Sequence, residues 1–312
     1  NLYSSNADLY SEGSVRMFQL SSGTWTQLGN TLSSAVDYED FGSSVSMSGD
    51  GTRVVIGAPG YDPAPSSGQS NNKYGRIIVY EYVAGSWTLM SGGNIVSAVN
   101  GAYFGDKVVM SGDGATIAAT HRSGNCGVDT YRYSSGSWSP LGSGSSTLTS
   151  TYSSGSCYAD KGYGSPIGLD LSNDGNVLAF GEGYDAYYYT DGGKVTVLEY
   201  TAALGWNTVR GSSITGSLYG KFGSAVSLSS DGTRLAVGAP SSTYGQVSVY
   251  EFNSGTNAWT NLGASIVGTY AGEKLGSSVA LSGDGTFLIV GSPEYSMGNT
   301  ANNGRARVYQ YI

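Results

Sequence analysis

One nineteen-residue sentence is written three times with few changes: FGSSVSMSGDGTRVVIGAP at 41–59, FGSAVSLSSDGTRLAVGAP at 222–240 and LGSSVALSGDGTFLIVGSP at 275–293. A chain that echoes itself over tens of residues must fold as a series of like units, each of which buries its apolar surface against the next. Five Asp-Gly pairs set the register: Asp50-Gly51, Asp113-Gly114, Asp174-Gly175, Asp231-Gly232 and Asp284-Gly285, spaced 53 to 63 residues apart. Trp25, Trp87, Trp138, Trp206 and Trp259 keep the same beat. Four of them precede their Asp-Gly by 25 or 26 residues, and the third by 36, so that unit carries an insertion.

Each unit reads as four strands. The first alternates after a glycine, as in Ser224–Ser229, with Val226 and Leu228 on one face. The Asp-Gly pair predicts a two-residue type I′ hairpin turn. The second strand, Arg234–Gly238, is continuously apolar and is expected to be buried on both faces. The third opens with glycine: GRIIVYEY at 75–82, GKVTVLEY at 193–200, GQVSVYEF at 245–252 and GRARVYQY at 304–311. The fourth, outermost, carries tryptophan in WTQLG (25–29) and WTNLG (259–263). No window sustains a 3.6-residue apolar period, and 49 glycines break the chain into short pieces while 39% hydrophobic residues supply a core. The chain is all-β, and four antiparallel strands repeated at this length describe a β-propeller blade.

The sentence, followed by G-x-V-x-V-Y, resembles the FG-GAP repeat of integrin α-chain-type propellers. The resemblance is strongest in units one, four and five, where GAP or GSP stands at 57–59, 238–240 and 291–293; AATHR at 118–122 and FGEGY at 180–184 depart from it. It implies one β-propeller domain over 1–312, with units near 25–86, 87–137, 138–205, 206–258 and 259–312 and a partial one at 1–24. Six third-type strands, counting GSVRMFQL at 13–20, accompany only five Asp-Gly hairpins. Residues 25–29 therefore either complete the last blade, giving five blade positions, or belong with 13–20 to the outer half of a sixth. The second alternative leaves an open sheet edge.

The family's calcium-binding members carry several carboxylates per turn, whereas SGDG, SNDG and SSDG carry one each, so these aspartates are read as turn formers and no metal or cofactor is expected. DYED at 37–40 is expected to be a solvated inter-blade loop, with Asp106, Asp160 and Glu273 scattered in other units. His121, the one histidine, and Arg122 replace the Gly-Ala-Pro corner of unit two. No nucleophile elbow accompanies them. Cys126 and Cys157 are expected to form a disulfide, with two buried thiols as the rival. YDAYYYT at 184–190 offers Tyr184, Asp185, Tyr187, Tyr188 and Tyr189 as a ligand-binding loop together with His121 and Arg122, and Tyr61, Tyr163 and Tyr295 stand on comparable loops.

With a net charge of −8 and no basic stripe, nucleic acid is not an expected partner, and no apolar run is long enough to insert in a membrane. The Ser/Thr/Tyr/Gly-rich surface leans toward an extracellular or cell-surface location. These features predict a non-catalytic adhesion or structural propeller, whose partners are other protein chains, joined through the incomplete blade, or extracellular glycans. The alternatives are a lectin-like propeller that uses the tyrosine loop and a polysaccharide-active enzyme.

Overall fold

The computed structural model describes residues 13–64, 72–122, 127–142, 147–149, 168–182, 192–217, 220–296 and 303–312. Among these there are strands and turns only, so no helix is long and apolar enough to cross a membrane. The chain divides into two compact units, Asn1–Ala159 and Asp160–Ile312.

The first unit opens with a two-stranded sheet, β1 (Ser14–Ser21) and β2 (Thr24–Ser33). The first blade follows as an antiparallel meander of β3 (Ser44–Met47), β4 (Arg53–Ala58), β5 (Arg76–Val83) and β6 (Ser86–Val96). The second blade holds β7 (Val108–Met110), β8 (Thr116–His121), β9 (Gly127–Ser134) and β10 (Ser137–Pro140), with β11 (Thr147–Thr149) also paired to β9.

The second unit repeats the plan. Its third blade is β12 (Leu169–Leu171), β13 (Val177–Glu182), β14 (Lys194–Thr201) and β15 (Gly205–Val209), with β16 (Ile214–Thr215) beside β14. The fourth is β17 (Ala225–Leu228), β18 (Arg234–Ala239), β19 (Gln246–Asn253) and β20 (Ala258–Asn261), with β21 (Ile266–Val267) beside β19. The last sheet has three strands, β22 (Ser278–Leu281), β23 (Phe287–Ser292) and β24 (Arg305–Gln310). The tryptophan strand at 25–29 lies in β2, which pairs with β1.

The hairpins depart from the expected two-residue turn. Only the glycine of each Asp-Gly pair has positive φ, 64–73°, so the type I′ geometry is absent. Ser48 N donates to Arg53 O and Gly51 N to Ser48 O, which encloses the four residues 49–52. The aspartate side chain is the reason. Asp50 Oδ1 accepts from Ser48 Oγ at 2.6 Å and from Thr52 N at 2.9 Å, tying both sides of the turn to one carboxylate. Asp113, Asp174, Asp231 and Asp284 make the same pair of bonds.

The glycines of the repeated sentence have a steric meaning. A Cβ on Gly57 would lie 2.0 Å from the carbonyl oxygen of Gly105, one on Gly181 1.9 Å from that of Gly223, and one on Gly238 2.1 Å from that of Gly276. The last glycine of one blade's second strand thus touches the Phe-Gly or Leu-Gly glycine of the next, whose φ is 90°. At the opposite end of the sheets, Arg53 donates to Gly114 O and Arg234 to Gly285 O, a guanidinium latch across to the following hairpin. Between these ends the second strands are buried on both faces: Val54, Val55 and Ile56 in the first blade, Leu235, Ala236 and Val237 in the fourth. Each such large aliphatic side chain contributes roughly 1.5–3 kcal/mol by leaving water.

Candidate functional site

Within each blade the inner strand begins, and the second strand ends, at the end of the sheet away from the Asp-Gly hairpin. In the first blade this end holds a buried ion pair. Glu39 is fully buried, and its Oε2 accepts from Arg76, with the closest nitrogen at 2.7 Å. The Arg76 guanidinium lies over the Tyr61 ring, 4.1 Å from its centre. DYED is therefore not the solvated loop expected, because folding draws its glutamate beneath the β5 arginine, where the paired charge offsets the cost of burial. The last sheet, in the other unit, has the same arrangement. Glu273 is buried against Arg305 and Arg307, and Arg305 stacks on Tyr295 at 3.7 Å. Both glutamates stand two residues before the Phe-Gly or Leu-Gly pair. A station that recurs in repeats belongs to the architecture.

The second blade differs. Its β8 ends in His121, which is buried, and Arg122 follows at once. Arg122 donates to Asp106 Oδ2 at 2.7 Å, and both side chains are partly exposed. Arg122 also lies 5.2 Å from the centre of the Tyr103 ring, and Lys73 of the first blade lies 5.6 Å from that same ring. Lys73 faces Asp40 at 3.9 Å. Backbone bonds from Tyr103 N to Lys73 O and from Arg122 N to Ala102 O lock the segments together. Tyr103 is held at φ 47°, a left-handed conformation that costs about 1 kcal/mol and that Asp40, Lys221 and Lys274 share at the corresponding position.

The repeat itself shows what is unusual here. Asp106 stands where Ser43, Ser224 and Ser277 follow their glycines, and His121-Arg122 stands where units one, four and five have Ala-Pro or Ser-Pro. The structure thus joins Arg122 of the predicted pair to Asp106 and Tyr103, with Lys73 against the same ring and the buried His121 next to Arg122 in the chain. Sequence reading had treated Asp106 as scattered and had passed over Tyr103 and Lys73. Reading the repeats in register would have exposed the aspartate; Lys73, from another blade, leaves no such trace. Among the described residues no cluster of three or more histidine, cysteine or acidic side chains is arranged to hold a metal. Tyr61 and Tyr295 are occupied as arginine platforms. Tyr184, Asp185, Tyr187, Tyr188, Tyr189, Tyr163, Asp160, Cys126 and Cys157 lie outside the described residues, so the tyrosine loop and the disulfide have no structural counterpart here.

Comparison with known families gives a match at residues 31–74, which cover the Glu39 loop, the first Asp-Gly hairpin and its GAP corner. This is an FG-GAP repeat. Among curated proteins none matches the sequence. Solved structures share the fold of this chain at low identity. A periplasmic gluconolactonase of Pseudomonas aeruginosa is similar with a TM-score of 0.55 and 15% identity, over 88% of this chain and 70% of that one. A protein from Lactobacillus plantarum gives 0.53 and 17% over 86% and 67%. A candidate 6-phosphogluconolactonase of Bacteroides uniformis gives 0.52 and 14% over 84% and 68%.

These likenesses place the FG-GAP sheets among β-propellers. They also correct the expected function. Of these three, the two whose names state an activity are lactonases, which speaks against a non-catalytic adhesion protein. The non-catalytic reading rested on the lack of any chemical constellation in the sequence. In the second blade's cluster the fold brings Lys73, Tyr103, Asp106 and Arg122 together from segments as much as 49 residues apart.

Proposed function

We propose that this chain is a hydrolase on a six-position FG-GAP propeller, one position holding only β1 and β2, and that it opens a sugar-derived lactone at the loop end of the second blade. The observation that carries the reading is the replacement of the repeat's serine and Ala-Pro corner by Asp106 and His121-Arg122, beside Tyr103 and Lys73. The lactonase names of the fold relatives support the choice of substrate.

Lactone hydrolysis adds water to the ring carbonyl, places negative charge on its oxygen, and releases the ring oxygen as a hydroxyl. Arg122 and Lys73, both close to the Tyr103 ring, supply cationic donors for that oxyanion. Asp106, held by Arg122, takes the proton of the attacking water and returns it to the departing ring oxygen.

The test is proton release from glucono-1,5-lactone and from its 6-phospho form. Hydrolysis above the buffer rate is expected with one of them. Arg122→Gln and Asp106→Asn should each lower kcat/KM by about a hundredfold, while Ser43→Ala, at the corresponding place in the first blade, should leave it unchanged. Equal rates in all four proteins, or no hydrolysis of either lactone, would overturn the reading.

A further inference from the structure

The two buried glutamates leave opposite remainders. In the first blade, Glu39 Oε2 takes the Arg76 bonds, and Glu39 Oε1, also buried, has no partner among the described residues. In the last sheet both oxygens of Glu273 are occupied. Oε1 accepts from Arg307 at 2.5 Å, and Oε2 accepts from Arg305 and from Tyr270 N, each at 3.3 Å. Donors are what is left over there. The Nε–H groups of Arg305 and Arg307 and the hydroxyl of Ser292 are buried and bond to nothing among the described residues. Ser292 as a whole is 1% exposed.

The three groups share one surface. Ser292 lies opposite Arg305 across β23 and β24, and Val290 lies opposite Arg307, so all four side chains stand on the same face of the sheet. Val290 belongs to the apolar cluster with Ala236 and Val247 of the fourth blade, so this face looks onto that blade within the one unit. Two of the three residues depart from the repeat. Ser292 stands where Ala58 and Ala239 stand, and Arg307 where Ile78 and Ser248 stand. Ile78 has no polar atom in its side chain, and the Ser248 hydroxyl is bonded to that of Ser265. Charge departs with them. Lys274 is paired with Glu294, and Glu273 answers two arginines, which leaves one positive charge. In the first blade Arg76 and Lys73 are matched by Glu39 and Asp40.

We propose that the last sheet binds the carboxylate of a small organic acid, held by the Ser292 hydroxyl and the Nε–H groups of Arg305 and Arg307. Buried donors and an unmatched charge are costly until an anion accepts from them. A carboxylate donates nothing, takes several charge-assisted bonds at once, and carries the single negative charge that is lacking. A phosphate dianion exceeds that balance by one. Arg305 is fixed before any ligand arrives, by stacking on Tyr295 at 3.7 Å and by its bond to Thr269 Oγ1 at 3.3 Å.

Equilibrium dialysis of the whole chain with labelled acetate tests this, with ionic strength held constant by chloride. One equivalent should bind saturably, in the millimolar range. Ser292→Ala restores the residue of the other corners without changing any charge, and Arg307→Ile restores that of the first blade. Each should weaken acetate binding about tenfold, while Ser248→Ala, at the same station one blade back, should leave it unchanged. If circular dichroism shows that Arg307→Ile does not fold, Ser292→Ala decides the matter. Inorganic phosphate should compete poorly. The proposal fails if no saturable acetate binding is found, if Ser292→Ala binds acetate as the wild type does, or if phosphate binds more tightly than acetate. Because binding is the readout, the result is independent of lactone hydrolysis.

Discussion

At the scale of the residue, one side-chain type has opposite roles in two places. The hairpin aspartates sit in turns that donate to them, and Asp284 is pulled down to about 2 by hydrogen bonds from Ser282, Thr286 N and the Thr286 hydroxyl. Asp50 is lowered for the same reason. In Asp231, burial pushes the carboxyl upward, but bonds from Ser229 and Thr233 outweigh it. Asp170, on β12, is the reverse case. Desolvation raises it to about 6, although Leu228 N, Leu171 N and Ser227 all donate to it. Its Oδ2 takes the Leu228 N–H from the next blade at 2.7 Å, the link that Ser46 makes to Met110 N and Ser227 to Leu281 N. A carboxylate raised by folding stabilises the fold fully below its unfolded value near 4, and that contribution is lost as pH rises through 6. Asp170→Ser, which restores the repeat's usual residue, should therefore gain stability relative to wild type by about 1.4 kcal/mol per unit of pH between 4 and 6. Urea titrations at several pH values would measure it, and a pH-independent difference would contradict the assignment.

At the scale of the element, blades stay together because glycine backbones meet. Gly238→Ala would drive a methyl group into Gly276 O, a rigid backbone atom, and should cost about 2–3 kcal/mol. Gly263, at φ 78° with nothing within 4 Å of its missing Cβ, provides the comparison. Its alanine variant bears only the backbone strain, about 1 kcal/mol. Thermal unfolding of both variants separates the two effects, and equal losses would mean that the close approach contributes nothing. The same contact explains why the family motif has glycine at both of its ends.

At the scale of the whole molecule, acid titrates two sets of carboxylates in opposite directions. As pH falls from 7 toward 4, protonation of Asp170 adds stability, and the net charge of −8 and its self-repulsion diminish. Below about 4 the hairpin carboxylates take up protons that their donors resist, and that contribution is lost as pH passes toward 2. The denaturation midpoint should therefore peak between pH 4 and 6 and fall on both sides. A midpoint that rises steadily to pH 8 would contradict this balance.

The repeat, the strand order and the turn role of the aspartates were legible in the sequence, because each follows from spacing and from bonds between residues at most five apart, as between Ser48, Asp50 and Arg53. The turn type was not, since Asp-Gly alone does not reveal that a serine two residues earlier will bind the carboxylate and lengthen the loop. Nor was the burial of Glu39, whose partner Arg76 is 37 residues away. The candidate site was half visible: His121 and Arg122 stood out where the repeat broke, but Tyr103 and Asp106 reach Arg122 only when the second blade folds, and Lys73 only when the first blade stacks on it. The sequence by itself determined that the chain builds like sheets, because local periodicity and turn chemistry act within a single hairpin. Which charges are buried and which residues share a site were decided by tertiary structure, because burial and long-range pairing depend on the neighbour each blade meets.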